Sequence, residues 1–110
     1  MTRTVHDADR LQQLLDEAGA APRARPAPEQ RTELDHQLRA ELRYFMPIVE
    51  EQAANIPRGE RDWYSRDKAL ADARDALATG LSPSNLAACI KLSELARSVR
   101  TLAGFAGGAS

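Results

Sequence analysis

The sequence predicts an all-α fold of four helices, and two observations support this class. Residues that favour helices, chiefly Ala, Leu, Arg and Glu, dominate the chain, whereas aromatic residues, which favour strands together with the β-branched ones, make up only 5% of it. Proline and glycine positions also divide the chain into four segments with helical periodicity. At 110 residues, the chain is long enough for one domain with one modest core.

The first helix is predicted over residues 7–18, because its apolar residues recur on one helical stripe. That stripe contains Leu11, Leu14, Leu15 and Ala18. Gly19 follows at the position where a left-handed cap prefers glycine. Residues 20–28 contain three prolines and predict an extended linker, long enough for the first helix to dock on its own subunit or on another one.

The second helix is predicted to begin near Pro28 or Glu29 and to end at the turn of residues 57–60. Its apolar seam, at alternating four- and three-residue steps, consists of Leu38, Leu42, Phe45, Val49 and Ile56. Gln52 interrupts that seam. Pro47 lies at the apolar centre of the helix, where the missing backbone donor and the ring predict a bend or a break.

The third helix is predicted to begin at about Asp62 and to end at Gly80. The residues on its inner side are Ala69, Leu70, Ala73 and Leu77. On the other side, Asp62 with Arg66 and Lys68 with Asp72 are predicted to form ion pairs four residues apart, which indicates a solvated face.

The fourth helix is predicted from Ser82 as N-cap and Pro83 in the first turn. Its heptad stripe consists of Ala88, Leu92, Leu95, Val99, Leu102 and Ala106, and it is widened by Leu86, Cys89, Ile90 and Phe105. A stripe this wide predicts contacts on two sides. The second side of the helix is therefore either part of a homodimer interface, which we favour, or covered by the other helices, with the fourth helix as the central helix of a monomeric bundle.

The predicted architecture is an intertwined or bundle-like homodimer of four-helix subunits in which the second helix is long and bent. Along the chain, the sequence predicts an N-terminal amphipathic helix over residues 1–19, a Pro/Ala/Arg linker over 20–28, a helical core over 29–106, and a disordered tail over 107–110.

Composition argues against several classes of function. The net charge of -1 and the mixed charge pattern predict no nucleic-acid partner. No apolar run approaches the length of a membrane span, and the N-terminus lacks the apolar core of a signal peptide, so we expect a cytoplasmic protein with no membrane partner. His6 and His36 have no ligand neighbours at metal spacing, and phosphate-loop or nucleophile motifs are missing. We therefore expect no metal and no cofactor, and Cys89 is expected to be a buried structural thiol.

Two groups of residues are candidates for peptide binding. His36, Arg39 and Arg43 follow one another at three- and four-residue steps beside Tyr44, so they offer hydrogen-bond donors to carboxylates or to a peptide backbone. The alternative is a solvated face that is balanced by neighbouring glutamates.

The second group lies at the start of the third helix and consists of Arg61, Trp63 and Tyr64. Aromatic side chains next to arginine are frequent in peptide recognition. The alternative is that Trp63 only attaches the start of the helix to the core.

Residues 38–53, which read LRAELRYFMPIVEEQA, are followed by ADARDAL at 71–77 and by Leu95-Ala96-Arg97 in the last helix. Together they resemble a family of small actinobacterial proteins linked to natural-product gene clusters, over residues 34–103. The size and the helical character also resemble the lysinoalanine-forming proteins of cinnamycin- and duramycin-type lanthipeptide pathways. No catalytic residue is transferred from this resemblance, because none can be matched by position.

The resemblance implies addition of a peptide lysine amine to a dehydroalanine, promoted mainly by preorganisation of a modified peptide substrate. The base would be Glu41, Glu50 or a carboxylate of the substrate, and the lack of an evident catalytic set favours the substrate. The rival hypothesis is a non-enzymatic helical module for dimerisation, protein interaction or regulation. Acidic residues throughout the third helix argue against DNA binding.

Overall fold

The computed structural model describes residues 8–108, which form four α-helices and contain no strand. The helices are α1 (Ala8–Ala24), α2 (Pro28–Ala54), α3 (Arg61–Ala78) and α4 (Asn85–Gly108). The all-α prediction and the number of helices are thus confirmed. The homodimer stays a prediction, and the sequence expectations for His6 and for residues 109–110 lie outside the described residues.

The helices are arranged so that α2 and α4 run parallel to each other. Near the start of both helices, Arg31 Nη1 donates to Asn85 Oδ1 at 3.1 Å, and near their ends Gln52 Nε2 donates to the carbonyl oxygen of Phe105 at 3.1 Å. Short connections make α1 and α3 run in the opposite direction. Helix α4 packs against the three others, while α1 and α3 do not touch each other.

The molecule is flat, with principal extents of 44 × 36 × 19 Å. Because packed helices lie 8–10 Å apart, the shortest extent corresponds to about two helix layers. The core between them is aliphatic, with Phe45 as its one buried aromatic residue among the described residues. Its largest fully buried side chains are Leu38, Leu42, Val49, Cys89, Leu92, Leu95, Val99 and Leu102.

The core confirms the predicted stripe of α2 from Leu38 to Val49, that of α4 from Ala88 to Leu102, and the burial of Cys89. Ile56, which lies beyond the end of α2, and Ala106 are only partly buried. The Cys89 thiol is fully buried and donates to Asn85 Oδ1 at 3.4 Å. On α4, however, the predicted wide stripe divides. Cys89 faces the core, whereas Leu86 and Ile90 remain 46% and 44% exposed.

The end of α1 corrects the sequence prediction. The helix continues through Gly19 and Pro22 to Ala24, so the predicted linker over residues 20–28 shrinks to residues 25–27. The reason is packing: Ala18 and Ala21 are fully buried, and their contacts outweigh the weak helix propensity of a single glycine. This short connection removes the long linker on which subunit exchange depended.

Arg25, with a φ of 50°, ends α1 in the left-handed region. Its backbone N–H donates to the carbonyl oxygen of Ala21 at 2.8 Å, and its Nε donates to that of Pro22 at 2.8 Å. Both bonds satisfy carbonyl groups that lack a partner at the end of a helix. Arg25 therefore supplies the cap that the sequence prediction assigned to Gly19.

Helix α2 continues without a break through Pro47, whose side chain is exposed. Pro47 therefore does not occupy the apolar centre of the packed face. Because Pro47 has no N–H, the carbonyl group of Arg43 lacks its usual helical partner. Arg43 is exposed as well, so water can hydrate that carbonyl group and the helix can continue.

The turn between α2 and α3 needs a glycine at one position. Gly59 has a φ of 94°, a conformation that a side chain makes unfavourable. The backbone N–H of Glu60 donates across this turn to the carbonyl oxygen of Pro57 at 3.3 Å. The predicted end of α2 at residues 57–60 and the start of α3 are thus correct to within a few residues.

Both ends of α4 differ from the prediction. The helix begins at Asn85, and its first carbonyl acceptor is Ser84, which bonds to the N–H of Ala88 at 2.9 Å. Ser82 instead accepts a bond from the N–H of Ser84 at 3.0 Å, so it stabilises the preceding turn and does not cap the helix. At the other end, the helix extends to Gly108, into the segment predicted as a disordered tail.

Candidate functional site

A polar cavity of about 230 Å³ lies between α1 and α2, and we call it the α1–α2 cavity. Its lining consists of Arg10, Gln13, Leu14, Glu17 and Gln37. The α1 residues among these recur at three- and four-residue steps, so they share one face of the helix. Leu14 is buried in the core at the base of this face.

Glu41 lies at the same seam, one helical turn after Gln37 on α2. Its Oε1 atom is shielded from solvent. Burial raises the pKa of the Glu41 carboxyl above its ordinary value, and the positive charge of Arg10 partly offsets this rise. Arg10 therefore links the carboxyl group to the cavity that it lines.

The cavity combines groups that suit a bound amine. Glu17 supplies a carboxylate to the lining, and the side-chain amides of Gln13 and Gln37 can accept a hydrogen bond. Glu41 adds a carboxyl group one helical turn after Gln37. Gln37 is oriented by Glu33, because its Nε2 donates to Glu33 Oε2 at 2.6 Å. The arrangement can receive a primary amine and take a proton from it.

The three basic residues predicted on α2 do not act as one row. His36 and Arg43 are exposed, whereas the side chain of Arg39 is only 11% exposed and faces α3. Arg39 Nε donates to Asp35 Oδ1 at 2.7 Å, and its other nitrogens donate to the carbonyl oxygens of Leu77 and Thr79. These bonds hold Arg39 within the fold and occupy the donors that the sequence prediction assigned to a peptide.

The remaining α2 candidates are on the surface. Tyr44 is 45% exposed, and its ring meets that of Phe45 edge-on at a centroid distance of 5.0 Å. Glu50 is exposed and pairs with Arg74 at 3.2 Å. Of the two candidate bases, Glu41 is therefore shielded, while Glu50 belongs to a solvent-exposed ion pair.

Arg61, Trp63 and Tyr64 lie together in the first turn of α3. Trp63 is half-buried, and it contacts the exposed ring of Tyr64 edge-on at 5.1 Å between centroids. The guanidinium of Arg58 lies 5.1 Å from the Trp63 ring, a cation–π contact that the sequence reasoning missed. Arg58 belongs to the turn before the helix, and it could have been expected from its closeness in sequence.

The two groups of predicted residues are far apart. Gln37 marks the α1–α2 cavity, and the Trp63 group is next to the end of α2 at Ala54. With a rise of 1.5 Å per residue, the distance along the helix is ~25 Å. One small ligand cannot touch both groups, although an extended peptide of about eight residues could.

The α1 residues of the cavity were not predicted. The spacing of Arg10, Gln13 and Glu17 is visible in the sequence, but it is also the pattern of an ordinary solvated face. Only the position of α1 next to α2 makes these residues the wall of a cavity.

A second cavity, of about 370 Å³, lies between α3 and α4, and we call it the α3–α4 cavity. It is lined by Asp72, Asp75, Ala76, Lys91, Glu94, Arg97 and Ser98.

Residues 8–108 contain neither a membrane-spanning helix nor a cluster of metal ligands. None of these helices is both long and apolar enough to cross a membrane. In the same part of the chain, no group of three or more His, Cys, Asp and Glu side chains is arranged to hold a metal ion.

The model of a family of unknown function, DUF6415, matches residues 7–107. No curated protein and no solved structure matches the chain. Because the match covers nearly the whole sequence, the chain belongs to the DUF6415 family.

Proposed function

We propose that this protein binds a modified peptide over the α1–α2 cavity and promotes addition of a lysine amine of that peptide to a dehydroalanine, which forms a lysinoalanine crosslink. The reaction is the one implied by the resemblance of residues 34–103. The observation that supports it is the position of Glu41, a shielded carboxyl next to a cavity of polar side chains.

The proposed step is balanced without a cofactor. The lysine ammonium gives one proton to the Glu41 carboxylate, and the neutral amine then attacks the Cβ atom of dehydroalanine. The C–N bond forms as the C=C bond becomes single, and the electron pair at Cα takes a proton back from the Glu41 carboxyl. A carboxyl whose pKa is raised by burial suits both transfers, because its proton affinity approaches that of the reacting groups.

The substrate is bound by exposed residues. In this proposal, the peptide contacts His36, Arg43 and Tyr44 near the cavity. Farther along the molecule, it is bound by Arg61, Trp63 and Tyr64. Arg39 is not part of the set, because its guanidinium is used within the fold. As predicted from the sequence, the reaction would take place in the cytoplasm.

The test is incubation with a precursor peptide that is already dehydrated and thioether-ringed. Because lysinoalanine formation leaves the mass unchanged, the crosslink is detected by fragmentation, as loss of cleavage between the joined residues. We expect wild type to form it and Glu41→Gln to slow it by roughly 10- to 100-fold with peptide binding unchanged. The matched control, Glu50→Gln, should stay within about twofold of wild type.

Two outcomes would contradict this proposal. If wild type forms no crosslink with a peptide that it binds, the reaction is wrong. If Glu41→Gln reacts as fast as wild type, Glu41 is not the base, and a carboxylate of the peptide must take its place.

A second candidate function, a non-enzymatic interaction module, is favoured by a different observation. Leu86 and Ile90 are large apolar side chains that remain almost half exposed on α4. Formation of the crosslink by wild type would argue against this candidate as the sole function of the protein.

A further inference from the structure

The outward face of α4 contains an apolar pair. Leu86 and Ile90 are one helical turn apart, so they lie on the same face, and both are exposed. Most large apolar residues of α4 are fully buried in the core. Together they form a small apolar patch on the surface of α4.

Two opposite charges continue this face toward the end of α4. Glu94 follows Ile90 by four residues, and Arg97 follows Glu94 by three. Both are exposed, and neither side chain makes an ion pair or a hydrogen bond within the described residues. The face thus carries an apolar part and a pair of unlike charges that are available to a partner.

We propose that two copies of this chain pair through antiparallel α4 helices, about a two-fold axis at the midpoint between Glu94 and Arg97. In this arrangement each Glu94 lies opposite the partner's Arg97, so two ion pairs form from one set of residues. A parallel pairing would instead put Glu94 against the partner's Glu94. The charge pattern therefore selects the antiparallel orientation.

In the same register, the apolar pair Leu86 and Ile90 also faces the partner's α4 helix. Ile90 lies opposite the partner's Thr101, and Leu86 lies close to the partner's Gly104. Gly104 is exposed, and a Cβ atom built on it would have no neighbour within 4 Å. The backbone of the partner can therefore be approached closely at this point.

The α3–α4 cavity supports the pairing. Glu94 and Arg97 line it together with Asp75 of α3, which is exposed. The open cavity gives the partner's Arg97 space to lie between Glu94 and Asp75. An arginine that contacts two carboxylates is held more strongly than in a single surface pair.

The contact is small, because it involves essentially one helix from each subunit. Stable interfaces bury about 1,600 Å² in total, so we expect a weak dimer with a dissociation constant on the order of 10 µM. This inference does not depend on the reaction proposed above.

The test is sedimentation velocity of the full chain over a wide range of protein concentrations. Glu94→Arg and Arg97→Glu should each weaken the dimer by ~10-fold, since each puts like charges opposite one another. The double variant restores unlike charges and should recover an affinity within about threefold of wild type. Ile90→Ser should also weaken the dimer, whereas Tyr64→Ser, on α3, should not.

Circular dichroism and thermal unfolding of each variant will show whether it is folded, and all four positions are on the surface. The proposal is wrong if wild type stays monomeric at every concentration. It is also wrong if the double variant associates as weakly as the single ones. Equal association of wild type, the single variants and the double variant would show that these charges do not face the partner, and it would overturn the proposed orientation.

Discussion

Arg39 of α2 binds Thr79 at the end of α3, with a distance of 2.6 Å between Nη2 and the Thr79 carbonyl oxygen. A second nitrogen of the same guanidinium donates to the carbonyl oxygen of Leu77 at 3.3 Å. Carbonyl groups in the last turn of a helix lack internal partners and carry the negative end of the helix dipole. Arg39 donates hydrogen bonds to two of these carbonyl groups and places a positive charge at the negative end of the dipole. It thereby joins α2 to α3.

Replacement of Arg39 should therefore destabilise the fold. Arg39→Ala removes charge-assisted bonds to two carbonyl groups and to Asp35, so we expect the free energy of unfolding to fall by about 2 kcal/mol. Urea unfolding followed by circular dichroism measures it. Arg43→Ala, one turn later and exposed, is the matched control and should change the free energy by less than about 0.5 kcal/mol. Equal effects of the two replacements would show that the bonds of Arg39 contribute nothing.

A second polar contact joins three helices. Arg66 Nε donates to Gln52 Oε1 at 3.0 Å, and Gln52 Nε2 donates to the carbonyl oxygen of Phe105 at 3.1 Å. The guanidinium of Arg66 also lies 4.6 Å from the centroid of the Phe105 ring. Gln52, which interrupts the apolar seam in the sequence, thus connects α2 to α3 and α4.

An apolar residue in place of Gln52 would continue the apolar seam of α2, but the hydrogen bonds of Gln52 predict that such a replacement destabilises the fold. Gln52→Leu leaves Arg66 and the Phe105 carbonyl group without their partner, so we expect a loss of about 1–2 kcal/mol in the free energy of unfolding. Gln30→Leu, at an exposed position near the start of α2, is the control for the same chemical change. A gain in stability from Gln52→Leu would mean that apolar packing outweighs the hydrogen bonds at this position.

Glu41 predicts a dependence of stability on pH. Burial raises its pKa in the folded protein, so folding favours the protonated carboxyl. This contribution is fully present below the unfolded-state pKa and is lost as pH rises through the folded-state pKa. Glu41→Gln cannot ionise, and its Tm relative to wild type should therefore increase between about pH 4 and pH 7.

The control for this measurement is Glu51→Gln, an exposed carboxyl on the same helix, whose Tm relative to wild type should change little over that range. Thermal unfolding at several pH values distinguishes the two. A Tm difference for Glu41→Gln that is constant, or that decreases with pH, would show that burial does not penalise the Glu41 carboxylate.

The fold was largely predictable because several proline and glycine residues lie close to the ends of the helices. Pro28 and Gly59 lie at or next to helix ends, and the seam from Leu38 to Val49 is buried as its spacing predicts. The end of α1 was missed because it is decided by burial of Ala21 against other helices. Local propensity cannot report such a contact between distant parts of the chain.

The candidate site was less predictable than the fold. Spacing placed Arg39 on a face with His36 and Arg43, but a guanidinium at the edge of that face can turn toward a neighbouring helix. The position of α3 relative to α2 decides which way the guanidinium turns, and a local sequence pattern carries no information about that position. For the same reason, the cavity beside Glu41 depends on α1, whose polar residues look like a solvated face when α1 is read alone.

The last prediction concerns Pro47, for which the sequence predicts a bend or a break at the apolar centre of α2. Neither the α1–α2 cavity nor the α3–α4 cavity is lined by Pro47, and its side chain is exposed within a continuous helix. Pro47→Ala restores the backbone donor to the carbonyl group of Arg43, so we expect the free energy of unfolding to rise by about 1–3 kcal/mol. Urea unfolding measures it, with Ala40→Pro, an exposed position earlier in α2, as the reciprocal control that should lose a similar amount. If Pro47→Ala gains stability but loses crosslinking or peptide binding, the proline shapes the binding surface at a cost to the fold. If stability rises and both activities are retained, Pro47 has no part in function, and the residues around Glu41 remain the candidates for the peptide-binding surface.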